Sequence, residues 1–240
     1  MKKLVYALII VLAIGGTGCV IYRSAGVKGN GIPEKRTFDV NNFENIVLRG
    51  RTQVKIVQGD TYKVETELDG NLYEFFEAFV FANTLYIGFE KGNSVQSFKV
   101  YKIYIQVPVL AHLSQSGSGR TEITGFSGAD MKITQSGAKD TIIDGMIRNL
   151  EMEVAGSGTI LLSGKADVMT LRQSGVSSVN AFEFETENCF VDSSGKGYAE
   201  ITVKNSLEVM ADGLSKVRYK GSPSRIIIRS SGSAKVEQAE

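Results

Sequence analysis

The sequence predicts an all-β, single-domain parallel β-helix, a solenoid with coils of about 19 residues. Three observations predict it. A small-residue turn recurs around Gly117, Gly137, Gly156, Gly175, Gly195, Gly213 and Gly232, at spacings of 18 to 20 residues. The columns six and four residues before each of these glycines are apolar throughout. The chain holds 26 Gly against 3 Pro, the balance of a β protein with tight corners.

The first 18 residues read as a leader. MKK is a short basic start, and LVYALIIVLAIGG is an apolar run of 13 residues, shorter than the roughly 20 a spanning helix needs. The run closes on Gly16-Thr17-Gly18-Cys19, which resembles a bacterial lipoprotein lipobox, with glycine at 16 where leucine is usual. The resemblance implies removal of residues 1–18 and lipid attachment at Cys19. Acyl chains there would hold the protein on a membrane, at about 0.8 kcal/mol per buried methylene. Residues 19–35 lack any periodic pattern and read as a flexible tether.

Residues 36–240 read as one body. In its first part, 36–110, strand alternation passes through Ile46/Leu48 and Val54/Ile56, with turns at Arg49-Gly50 and Gln58-Gly59. The segment Asn71–Glu90 turns back at Ala82-Asn83-Thr84 as a hairpin. The run from Tyr101 to Val109 continues in step into Ala111 and Leu113. These read as irregular coils that cap the start of the solenoid.

Residues 111–236 are the regular repeats. Four before the marker glycine stand Leu113, Ile133, Met152, Leu171, Val191, Val209 and Ile228. Six before stand Ala111, Met131, Leu150, Met169, Cys189, Leu207 and Ile226. The column between is mostly polar, so each strand turns one face in and one out. After the marker, a second strand places Ile123, Ile143, Leu162, Ala181 and Ile201 in another apolar column. A unit this short cannot bury its own inner face, but stacked neighbours can. At about 4.8 Å per coil, the repeats make a rod on the order of 34 Å long.

The opening pattern of Phe43, Ile46, Leu48, Gly50, Val54, Ile56, Gln58 and Gly59, followed by serial S-G-x-G coils, resembles the putative auto-transporter adhesin, head GIN domain family. The resemblance covers roughly residues 36–236. It implies a right-handed β-helix and a place in the cell envelope, often as a lipoprotein. No catalytic or binding residues come with it. The residues after Cys19 lack the acidic run that resembles a surface-export signal, Glu34 being the first acid.

Chemistry is bounded by what is scarce. Basic and acidic residues number 27 and 26, which gives no footprint for nucleic acid. His112 is the single histidine, in an outward column, and reads as a surface residue. With one other cysteine, Cys189, in an apolar column, neither a disulfide nor a zinc site is expected. No metal or other cofactor is expected. Gly117-Ser118-Gly119 contains G-x-G, but no helix pattern follows, so a nucleotide loop is not indicated. Asp192 and Asp212 fall in different columns, which argues against a glycosidase pair. Glu183, Glu185 and Glu187 form an acidic insertion that reads as a solvated loop, with calcium as the other reading.

Three functions follow. The first is a non-catalytic adhesion module on an outer-membrane lipid anchor, facing the periplasm or the cell surface and binding a glycan or protein. Its candidate ligand-facing ladder is Gln115, Gln135 and Gln173, beside Ser116, Ser136 and Ser174. The bland reading is that such side chains hydrogen-bond one another up the stack. The second is a periplasmic structural or envelope-stress scaffold with an envelope protein partner. The third, and weakest, is a polysaccharide-acting enzyme.

Overall fold

A computed structural model describes residues 26–90 and 95–239. The leader and Cys19 lie outside the described residues. The described residues form a β-solenoid of mainly parallel strands. In chain order these are β1 (Val27–Lys28), β2 (Pro33–Phe38), β3 (Asn45–Leu48), β4 (Thr52–Gln58) and β5 (Lys63–Asp69), then a 3-10 turn at Gly70–Phe75. There follow β6 (Phe76–Phe81), β7 (Thr84–Phe89), β8 (Val95–Ser97), β9 (Tyr101–Val107), β10 (His112–Gln115) and β11 (Ser118–Ser127). The long strands β12 (Asp130–Gly156), β13 (Thr159–Gly175), β14 (Ser178–Ser193) and β15 (Tyr198–Ala211) bend around corners. The chain closes with β16 (Lys216–Lys220), β17 (Arg225–Ser230) and β18 (Lys235–Gln238).

The columns read from the sequence are rungs of the ladders. Ile103, Val54, Thr121, Thr141, Ile160, Val179, Ala199, Val217 and Val236 are paired in register, each with the next. Met152, Leu171, Val191, Val209 and Ile228 form a second such row. Most of these side chains are buried, and one continuous core runs from Phe43 to Tyr219.

The glycine corners form a ladder of their own. The carbonyls of Gly117, Gly137, Gly156, Gly175, Gly195 and Gly213 each accept from the N–H one residue beyond the next marker glycine, at 2.7–2.9 Å. The backbones stack too closely there for side chains.

The start of the solenoid departs from simple coil order. β3 and β4 pair with β10 and β11 on one side, and with β7 and β9 on the other. The coil made of β7 and β9 therefore lies outside the coil made of β3 and β4, although it follows it in sequence. Antiparallel strands then close this end: β6 on β7, and β5 on β9 with β2 beyond. The expected hairpin is the β6–β7 turn, where Ala82 and Asn83 have φ of 46° and 59°, the left-handed pair a tight hairpin needs. Phe76 centres the aromatic filling of the cap, with Phe38, Tyr73, Phe89 and Tyr101 at ring distances of 5.7–6.0 Å. The tether expected over 19–35 is shorter than its sequence suggests, because Val27 and Lys28 pair with β8 and Pro33–Lys35 pair with β5. Backbone pairing there offsets the weak apolar pattern. The opposite end, at β17 and β18, has no further strand on it among the described residues.

Candidate functional site

The predicted ladder of Gln115, Gln135 and Gln173 turns into the solenoid instead of out to solvent, and Gln135 and Gln173 are among the residues that line the groove beside it. All three side chains are inside the solenoid, 1–3 % exposed. The alternation that buries the residues six and four before each marker also buries those two before it, and the glutamines hold that position. Their amides are engaged internally. Gln115 donates to the Gln135 Oε1 at 2.8 Å and to the Thr141 hydroxyl at 2.7 Å. Thr121 and Thr141 donate to the oxygens of Gln115 and Gln135, and Gln135 donates to the Lys139 carbonyl. Gln115 and Gln135 thus satisfy each other and their threonines along the stack, whereas Gln173 donates to the Ser177 and Tyr198 carbonyls and its Oε1 has no hydrogen-bond partner among the described residues.

The serines beside them point outward. Ser136, Ser174 and Ser194 edge a shallow groove of about 350 Å³, which Glu153, Arg172 and Asp192 also line. Parity again explains this, because odd offsets from the marker face solvent. Lys132 bridges Glu153 at 2.8 Å and Glu151 at 3.4 Å, and Arg172 reaches Glu151 at 2.8 Å. The Lys132 ammonium holds the Glu153 carboxyl below its ordinary range. Asp192 makes no hydrogen bond or ion pair among the described residues, so its oxygens stand free as acceptors in the groove. The groove thus offers hydroxyls, a guanidinium and a carboxylate on rungs fixed by the backbone ladder. Such a set suits multiple hydrogen bonds to a polar ligand. Arg172 carries no signal in the sequence, because its column holds no repeated chemistry.

Other sequence candidates resolve as follows. His112 is half-buried and meets the Thr134 hydroxyl at 3.0 Å; burial and then the Lys132 charge push its pKa down. Asp192 pairs in register with Met210, leaving Asp212 at the next corner, where it accepts from the Ser231 hydroxyl at 2.6 Å. The acidic insertion is not a loop. Glu183, Glu185 and Glu187 lie within β14, where the register shifts, and Lys204 pairs with Glu185 and Glu187. An insertion absorbed as a bulge keeps the ladder intact on both sides. No group of three potential metal ligands occurs among the described residues. Gly117 lies in the corner between β10 and β11, and Ser118 and Gly119 already belong to β11, so a strand follows the glycine motif.

Cys189 sits in the core, and burial pushes its thiol up to about 12. A thiol reagent added to residues 20–240 should therefore leave Cys189 unmodified at pH 8 and label it only when denaturant is present. Prompt labelling of the folded chain would show that this column is open.

A family described as putative auto-transporter adhesin, head GIN domain matches residues 42–223. Among curated proteins none matches the chain. Among solved structures, a putative adhesin from Bacteroides fragilis is 21 % identical and superposes with a TM-score of 0.80, over 89 % of this chain and 100 % of that one. A protein from Parabacteroides distasonis described as a putative lipid binding protein is 22 % identical, with a TM-score of 0.70 over 89 % and 99 % of the two chains. A putative adhesin from Parabacteroides merdae is 22 % identical, with a TM-score of 0.66 over 90 % and 99 %. At these identities the likeness establishes a shared fold.

Proposed function

We propose, for a chain that belongs to the putative auto-transporter adhesin, head GIN domain family, that it is a non-catalytic cell-envelope lipoprotein whose solenoid binds a glycan or a protein. Lipid on Cys19 holds it at the outer membrane. The observation that carries the binding role is the serine-edged groove, with Arg172 and the unpartnered Asp192 displayed on a rigid face. Groups held by paired strands lose little freedom when they bind, which favours recognition by several modest hydrogen bonds.

The test has two parts. Residues 20–240 are screened on a glycan array and against candidate envelope proteins, with Arg172→Ala and Asp192→Ala in parallel. Each substitution should weaken a genuine ligand by about tenfold or more, the worth of a charge-assisted hydrogen bond. Ligands that bind both variants as well as the parent would place recognition elsewhere. Separately, the full chain should incorporate labelled palmitate in cells and its Cys19→Ser variant should not.

A second reading is a periplasmic scaffold that engages an envelope protein by its open end. It is favoured by the uncovered last coil, where Ile226 and Ile228, in otherwise buried columns, are 45 % and 43 % exposed.

A further inference from the structure

A second polar concavity, of about 500 Å³, lies near the N-terminal end, apart from the serine groove. Arg51, Lys99, Lys102 and Arg120 line it, beside Phe98, with Asp140 as the one carboxylate among the described lining residues. All four cations are exposed. Lys102 lies 4.0 Å from Glu67 and Arg120 2.9 Å from Glu122. The Arg51 and Lys99 side chains make no ion pair among the described residues, although the Lys99 backbone N–H donates to the buried Asp69 carboxylate at 3.1 Å; the Arg51 guanidinium stands 5.7 Å from the Phe98 ring centre. Asp140 is already engaged by the Thr159 N–H at 3.0 Å. The whole chain carries a formal charge of only +1, so this excess of cations is local.

The same place is where the chain enters the fold. β1 pairs with β8, just ahead of Phe98 and Lys99, and the Gly29 N–H donates to the Ser97 carbonyl at 2.8 Å. A Cβ on Gly31 would stand 2.9 Å from the Lys99 side chain. Ile32, next to it, is 67 % exposed. Gly26 lies seven residues beyond Cys19. Seven extended residues span at most about 25 Å, so a lipid on Cys19 would keep the cationic cleft close to the headgroups.

We propose that this end of the solenoid is a docking surface for a phosphate-bearing lipid membrane. Arg51, Lys99, Lys102 and Arg120 meet anionic headgroups, and Ile32 enters the interfacial zone. The lipid anchor supplies proximity, and the cations fix which side of the solenoid faces the bilayer. The serine groove and the open C-terminal coil are then left free for partners. The orientation rests on the lipoprotein reading; the affinity of the surface does not.

The experiment therefore uses residues 20–240 without lipid, which contain the entire described core. The protein is sedimented with vesicles of phosphatidylcholine alone, or mixed with phosphatidylglycerol, at low and high salt. Binding should require phosphatidylglycerol and fall with salt. Arg51→Gln and Lys99→Gln should each weaken it about fivefold, and together multiplicatively. Both positions are exposed, and a matching thermal melt confirms that the variants fold. Equal binding to the neutral vesicles, or full binding by the double variant, would overturn the proposal. So would dextran sulfate bound as tightly as the vesicles, which would make the ligand a soluble acidic glycan. A failed palmitate label on Cys19 would remove the anchor while leaving the vesicle result to stand on its own.

Discussion

Gly156→Ala should lower the stability of the solenoid by about 4 kcal/mol, read as a shift of the denaturant midpoint, while Gly125→Ala should cost only about 1 kcal/mol. Both glycines have positive φ, 120° at Gly156 and 84° at Gly125. An alanine at either place carries a backbone penalty of roughly 1–2 kcal/mol. The surroundings differ. A Cβ on Gly156 would stand 2.2 Å from the Gly137 carbonyl oxygen, whereas one on Gly125 meets nothing within 4 Å. The Gly137 carbonyl cannot retreat, because it accepts the Ser157 N–H at 2.9 Å in the corner ladder. The excess cost at Gly156 thus measures coil stacking, separate from conformational preference. Equal losses at the two sites would mean that the corner can open without disturbing the ladder.

Lys139→Met should stabilise the protein by about 3 kcal/mol at pH 7. Lys139 is fully buried, and its Nζ has no hydrogen-bond partner among the described residues. It lies in register with Gly119, so its stem occupies interior space that no side chain fills on that rung. Burial lowers its pKa from 10.5 to about 8. The unfolded chain therefore binds the proton more tightly than the folded one. The penalty is complete below pH 8, shrinks as pH rises towards 10.5, and is gone above it. The advantage of the methionine variant should fade over that same window. The difference between the two proteins is the quantity to follow. Cys189 and Tyr101, whose pKa values burial raises, oppose the trend in both proteins at alkaline pH and cancel in the subtraction. A variant no more stable than the parent, or an advantage independent of pH, would show that the ammonium has found a partner or reaches water.

The columns explain how much was legible beforehand. Leu171 and Val191 could be placed in one buried row because a fixed spacing and a period of two survive in one dimension. The glutamines show the limit. Counting back two from each marker was enough to bury them, yet amides suggested recognition; only the bonds of Gln115 and Gln135 to Thr121, Thr141 and one another showed an interior network at those two rungs. Glu183 to Glu187 misled in the other direction, because an acidic insertion in sequence is a strand once Lys204 neutralises it and the register slips to admit it.

By itself the sequence determined the solenoid, its rise by coils and the direction of nearly every regular side chain, since those follow from local alternation and a repeated glycine corner. The tertiary structure decided the rest. It put the β7–β9 coil outside the β3–β4 coil, a choice made by strand pairing between distant segments. It left the Lys139 ammonium without a hydrogen-bond partner among the described residues, and it gathered Arg51, Lys99 and Arg120 around one cleft. Each of these depends on which residues far apart in the chain come to share a space, and a one-dimensional period carries no information about that.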